Sequence, residues 1–177
     1  FASGEFNLKF DEQNPSSLIL HYGNLYTGFR NKVVNITENC NLDKKYDCLI
    51  NLNLTDYNDE ILQYYFNLTD IAGNYDESRK RSFHVDTILP VINEFSNITS
   101  GRTVRFRIGI NETNFDKVEY IDASDKNPRF KSLCSRLKNG ICEKTLRFKP
   151  DIHQIDIRVL DKAGNQVIVE DLIFTIY

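Results

Sequence analysis

Cysteine is the most reactive side chain in this sequence, and it occurs as two pairs of identical spacing, Cys40-x7-Cys48 and Cys134-x7-Cys142. Paired cysteines bind metal or form disulfides. Zinc sites favour two to four residues between the paired thiolates and need further ligands. The histidines, His21, His84 and His153, stand at no matching distance from either pair. Two local disulfides, Cys40–Cys48 and Cys134–Cys142, are therefore expected. Lys138-Asn139-Gly140 is a turn signal midway between Cys134 and Cys142, which would set those two side chains facing each other across a hairpin. Each bridge closes a short loop, worth about 2.5 kcal/mol in the chain-entropy model. Bridges of this kind imply an oxidising compartment.

Oxygen chemistry is the second possibility. Asp56, Asn58, Asp59 and Glu60 crowd one connection, and oxygen-rich loops suit calcium. This one lacks the EF-hand spacing, and an acidic surface loop explains it as well. Calcium is thus a weak candidate, and no other metal or cofactor is expected. Five Asn-x-Ser/Thr acceptors occur, at Asn35, Asn53, Asn67, Asn97 and Asn111, whereas Asn14 precedes Pro15 and is excluded. Asn53 alternates with Leu52 and Leu54, and Asn67 with Phe66 and Leu68, so both should point outward, where a glycan can attach.

Catalytic patterns are missing. There is no Gly-x-Ser-x-Gly, Walker loop, His-Glu-x-x-His or dinucleotide glycine pattern. No enzyme is expected. Residues 1–87 hold 8 basic and 13 acidic side chains, and residues 88–177 hold 14 and 12. That split is too mild for nucleic acid. No run of apolar residues is long enough to span a bilayer, and no signal peptide is visible. The sequence starts at Phe1 without Met and reads as a processed product or an excerpt.

The elements that position these residues come from a duplication. Asp70, Ala72, Gly73 and Asn74 recur as Asp161, Ala163, Gly164 and Asn165, an offset of 91. The cysteine pairs recur at an offset of 94, and Phe6, Leu8 and Phe10 match Val104, Phe106 and Ile108 at 98. Drifting offsets are what loop-length changes leave between duplicated domains. Val104, Phe106, Ile108 and Ile110 alternate with polar or small residues, as do Ile155, Ile157 and Val159. A period of two gives strands with one apolar face, and no stretch keeps a helical period. Domains 1–87 and 88–177 are therefore expected to be two tandem all-β sandwiches of seven-strand type. Asp-x-Ala-Gly-Asn is the hairpin between the last two strands. Its Asp and Asn bond nearby amides, and its Gly supplies a positive φ; turn chemistry explains it better than catalysis or calcium.

Those turns, followed by "VDTILPVINEF" at 85–95, resemble the junction between tandem immunoglobulin-like domains of bacterial and archaeal surface proteins. The resemblance covers both repeats, most clearly 48–97 and 142–177. It implies two immunoglobulin-like domains in an extracellular, cell-surface setting. Family members serve as stalks, surface-layer building blocks, pilus or filament subunits and adhesins. The paired x7 cysteines depart from the commonest prokaryotic pattern. Together with the acceptor asparagines they suit an archaeal surface glycoprotein, with a eukaryotic ectodomain as the alternative. A structural or assembly module is the reading favoured. An adhesin or receptor-binding ectodomain is the alternative, because Arg129, Lys131, Arg136, Lys138, Lys144, Arg147 and Lys149 form a basic region where anionic glycans could dock. Outward lysines that protect an edge strand are the plainer reading of the same residues.

One asymmetry carries a further expectation. "LPVINEFSN" at 89–97 reads as an opening strand of the second copy, and the offset of 98 leaves the first copy without room for one. Its first sheet should then present an unpaired edge along Phe6–Phe10. That edge is expected to be completed by a preceding segment absent from these residues or by a strand from a neighbouring subunit, and the expected partners are other copies of the chain or neighbouring immunoglobulin-like domains.

Overall fold

The computed structural model describes residues 1–177. The chain forms two compact units, Phe1–Thr87 and Ile88–Tyr177. Both are all-β sandwiches of the immunoglobulin-like class.

In the first unit the strands are β1 (Glu5–Phe10), β2 (Pro15–Asn24), β3 (Gly28–Val34), β4 (Cys40–Leu42), β5 (Tyr46–Asn51), β6 (Ile61–Asp70), β7 (Tyr75–Glu77) and β8 (Arg81–His84). A short helix, α1 (Ile36–Asn39), precedes β4, and its first turn is capped by the Asn35 side chain, which accepts from the Thr37 amide. One sheet has the order β1-β5-β4; the other runs β3-β2-β6, with β7 and β8 both on the far edge of β6. The alternation seen in sequence fills the space between them. Phe6, Cys48 and Ile50 from one sheet meet Leu18, Leu20, Leu62 and Phe66 from the other. Each such apolar side chain contributes roughly 1.5–3 kcal/mol by leaving water. β7 and β8 are one final strand broken at Ser78, whose hydroxyl accepts from the Phe66 amide and whose own amide donates to the Phe66 carbonyl.

In the second unit β9 (Val91–Ser100), β10 (Thr103–Asn111) and β13 (Ile141–Arg147) form one sheet, and β11 (Phe115–Asp122), β12 (Lys131–Cys134), β14 (Asp151–Asp161) and β15 (Gln166–Ile176) the other. The sheet orders are β13-β10-β9 and β12-β11-β14-β15. Val104, Phe106, Ile108, Ile155, Ile157 and Val159 are fully buried between them, on the faces their alternation indicates. Gly109 sits where β9 and β10 shift register; a Cβ there would meet Asn93 and Glu94.

Both disulfides form, Cys40–Cys48 and Cys134–Cys142, and no free thiol remains. Their wiring differs despite equal spacing. Cys40 and Cys48 are directly paired on β4 and β5 within one sheet. Cys134 lies on β12 and Cys142 on β13, so the second bridge joins the two sheets of its sandwich. The hairpin expected around Lys138-Asn139-Gly140 is corrected accordingly. The tight turn exists, with Asn139 and Gly140 both at positive φ and Lys138 and Ile141 exchanging backbone bonds. The chain before it leaves for the opposite sheet, because β12 pairs with β11. No helix is long and apolar enough to cross a membrane.

Candidate functional site

The repeated Asp-x-Ala-Gly-Asn segments have the same geometry in both units. Asp70 Oδ1 accepts from the amides of Ala72 and Asn74, and Oδ2 from Asn74 Nδ2. Asp161 makes the same bonds to Ala163 and Asn165. Gly73 and Gly164 supply the positive φ. The Asn74 side chain, the largest cause, holds the Asp70 carboxyl below its ordinary value; desolvation opposes it, and the backbone amides of the turn add to it. These carboxylates are occupied in closing the hairpins β6–β7 and β14–β15.

The acidic connection of the first unit is also engaged in structure. Asn58 Oδ1 accepts from the Thr87 amide, and Glu60 Oε2 accepts from Asn24 Nδ2. Asp59 takes a positive φ; its amide donates to the Val85 carbonyl, just after β8, and its own carbonyl lies 2.9 Å from the His84 ring nitrogen Nε2. Asp56, Asp59 and Glu60 do not bring three ligand atoms together.

Of the acceptor asparagines, Asn35, Asn53, Asn97 and Asn111 are exposed. The Asn53 oxygen accepts from the amide and hydroxyl of Thr55, the threonine of its own motif. Asn67 is on the outward face of β6 but half-buried, and its amide nitrogen reaches Glu77 Oε2 at 3.2 Å.

Sequence reasoning missed a buried polar cluster in the second unit. His153 and Asp122 are 6% and 2% exposed. His153 Nδ1 lies 2.7 Å from Asp122 Oδ2, and Nε2 lies 2.9 Å from the Lys149 carbonyl. Both ring nitrogens therefore face acceptors, which calls for the doubly protonated imidazolium. Burial opposes that charge, but the bonds to Lys149 and Asp122 outweigh it and raise His153 above its ordinary value. Burial likewise opposes the Asp122 charge, and the bonds from Ser124 and His153 outweigh it and lower that carboxyl. Ser124 Oγ is 2.7 Å from Asp122 Oδ1 and 3.0 Å from His153 Nδ1. A hydrolytic triad needs serine and carboxylate on opposite ring nitrogens; here they share one, and a carbonyl blocks the other. The only sequence signal was a lone histidine in an alternating strand, which is too weak to find this cluster.

The cluster floors a recess of about 260 Å3 lined also by Tyr120, Asp125, Lys126, Lys131, Arg147 and Lys149. Lys131 is paired with Asp125 at 2.5 Å, while no carboxylate is ion-paired with Lys126, Arg147 or Lys149. Of the basic residues singled out in sequence, the fold thus gathers Lys131, Arg147 and Lys149. Arg136 and Lys138 line a separate hollow of about 430 Å3 beside Cys134, and Arg129 and Lys144 are exposed.

On the first unit, β1 is an edge strand that pairs with β5 alone. Residues 1–4 add no strand beside it. Ala2 instead makes a parallel bridge to Val85, next to β8.

No protein-family model matches the chain, and no curated protein matches its sequence. Among solved structures, the FN1–FN3 domains of chicken CNTN1 align at a TM-score of 0.57 and 12% identity over 96% of this chain. The chain spans 63% of that structure's length. A tetra-tandem repeat from the extending region of a large adhesion protein aligns over 99% of this chain and 46% of its own, at TM-score 0.36 and 14% identity. A chimeric titin Z1Z2 tandem aligns over 99% and 92%, at 0.39 and 12%. At such identities the likeness concerns fold alone: this chain is a pair of tandem immunoglobulin- or fibronectin-type sandwiches.

Proposed function

We propose that the chain is a non-enzymatic extracellular structural module of a cell-surface protein, used as a stalk, surface-layer or filament unit. The observation that carries this reading is the repetition of a disulfide-clamped sandwich within one chain, each copy closed by the same Asp-centred turn. Disulfides belong to oxidising compartments. Four exposed asparagines in acceptor motifs suit the same setting. The test is protein recovered from its native cells. Protease accessibility on intact cells, oxidised cysteines and sugar on Asn53 are expected; an internal pool with four free thiols would refute the reading.

A second reading, adhesion to an anionic glycan, is favoured by the three unpaired cations around the recess of the second unit. A glycan array including uronic-acid and sulfated sugars tests it. Binding lost in Arg147→Glu with Lys149→Glu supports it, and an empty array removes it.

A further inference from the structure

The duplication shows what differs at one end of the second unit. The offset of 91 that sets Asp161 on Asp70 also sets His153 on Leu62 and Ile155 on Tyr64. Tyr22 is paired with Tyr64, and Asp122 with Ile155. The buried His153–Asp122 pair therefore stands in the places of Leu62 and Tyr22. In the first unit those two side chains belong to an apolar core that Leu54 and Tyr57, from the connection between β5 and β6, help to fill. The Tyr22 and Tyr57 rings meet there edge to face. In the second unit the corresponding connection is shorter, residues 148–150 against 52–60, and only Phe148 of it is buried. That end of the sandwich is the recess of about 260 Å3, with the charged pair as its floor. Burying ions where the sister unit uses leucine and tyrosine costs stability, and ionisable groups held in this way in a cleft cluster at functional sites.

The pair also ties together the two corners that carry the free cations. His153 Nε2 donates to the Lys149 carbonyl in the β13–β14 corner. Its Nδ1 donates to Asp122, whose Oδ1 accepts from the amide and hydroxyl of Ser124 in the β11–β12 corner. Arg147 and Lys149 belong to the first corner and Lys126 to the second, and all three line the recess. Asp125 is taken by Lys131 and Asp122 by His153, so Asp151 is the one carboxylate of the lining left to oppose them. Tyr120 adds a phenol that burial keeps protonated, a further donor on the wall.

We propose that this recess is a binding site for one tetrahedral oxyanion, a sulfate or phosphate group, held by Arg147, Lys149 and Lys126, with His153 and Asp122 as positioning residues beneath them. Guanidinium and ammonium groups make charge-assisted hydrogen bonds to such anions. Three of them match an anion with three free acceptor oxygens better than the two of a carboxylate. The volume lies below the roughly 300–1,000 Å3 of sites for drug-sized ligands, so it takes a charged group rather than a long chain. The proposal rests on the anionic ligand of the second reading above and narrows it from uronic-acid to sulfated sugars; free sulfate or phosphate would meet the same donors.

The experiment titrates the whole chain with sodium sulfate at constant ionic strength and follows the backbone amides by NMR. Sodium phosphate, sodium acetate and N-acetylglucosamine 6-sulfate are run in parallel. Saturable shifts confined to residues 120–131 and 147–153 are expected, with acetate weaker by about tenfold. Arg147→Gln with Lys149→Gln should weaken sulfate binding by about tenfold or more. Arg129→Gln with Lys144→Gln, exposed cations outside the recess, should leave it unchanged. His153→Gln releases both corners and should weaken sulfate binding while the β10 amides keep their shifts. A sulfated sugar that binds more tightly than free sulfate identifies the sugar as the source, and equal affinity identifies the free ion; both uphold the site. Three results overturn it: shifts that never saturate, acetate as tight as sulfate, or undiminished binding in the Arg147–Lys149 variant. Glycan binding on an array that excess sulfate does not displace would also overturn it while leaving adhesion standing. Sulfate binding with an empty array would uphold the site and remove adhesion.

Discussion

His153 and Asp122 form a charged pair where charge is costly, and pH reports on them. His153 is raised above its ordinary 6.5, so its contribution is full below that value and lost as pH climbs through the raised one. Asp122 is lowered below its ordinary 3.8, so its contribution is full above that value and lost as pH falls through the lowered one. Asp125, Asp151, Lys126, Lys131, Arg147 and Lys149 line the recess around the pair, and the Asp151 charge adds to the raising of His153. Unfolding temperature of the second unit should therefore peak between about pH 4 and pH 6.5. Asp122→Ala strands a buried cation and should cost about 3–5 kcal/mol near neutral pH. If His153→Gln keeps the alkaline decline, the pair is not its source. Tyr57 gives the opposite case. Its hydroxyl is buried without a partner, while Arg30 sits 5.4 Å from its ring. Tyr57→Phe keeps the ring contact, so urea unfolding should show stability unchanged or raised by up to about 1 kcal/mol.

Turns and bridges set the next scale. The two Asp-centred turns make identical bonds but differ in exposure, since Asp161 is 2% exposed and Asp70 is half-exposed. Water can replace the lost acceptor at Asp70 and cannot at Asp161. Asp161→Ala should thus cost about 2–3 kcal/mol in chemical denaturation, and Asp70→Ala clearly less; equal effects would mean exposure does not govern these turns. The disulfides close loops of equal length, so replacing either pair by alanine should cost about 2–3 kcal/mol. What separates them is wiring. Loss of Cys134–Cys142 unties the two sheets and should speed amide exchange in both β12 and β13, whereas loss of Cys40–Cys48 should act on β4 and β5 alone. Exchange confined to β13 in the first variant would contradict the inter-sheet placement.

Within residues 1–177 the units share an architecture but differ at one sheet edge. The second has seven strands with both sheets closed around its core, while the first lacks a counterpart of β9 and leaves Leu8 and Phe10 half-buried. Less apolar surface removed from water means less stability. Calorimetry of the chain should therefore resolve two transitions, the first unit melting at the lower temperature. Truncation to residues 88–177 should leave the upper transition in place. If the second unit melts first, the uncovered edge does not limit stability.

Alternation with period two, the repeat and the turn residues made the fold class legible before any coordinates, because strand faces and turn geometry are local properties. Val104, Phe106 and Ile108 announce an inner face, and Asp70 and Asp161 announce hairpins, from neighbours a few residues away. Strand pairing is different, since it depends on partners distant in the chain. Identical Cys-x7-Cys spacing therefore led to one bridge within a sheet and one between sheets, decided by whether the preceding strand stays with β5 or pairs with β11. The same distance hid the meeting of Asp122 with His153, and the gathering of Lys126, Arg147 and Lys149 around them. The alternation of Phe6, Leu8 and Phe10 marked a strand, which the structure places at a sheet edge. Only the tertiary path of residues 1–4, drawn to Val85 by backbone hydrogen bonds, determined where that edge faces and what chemistry lines it.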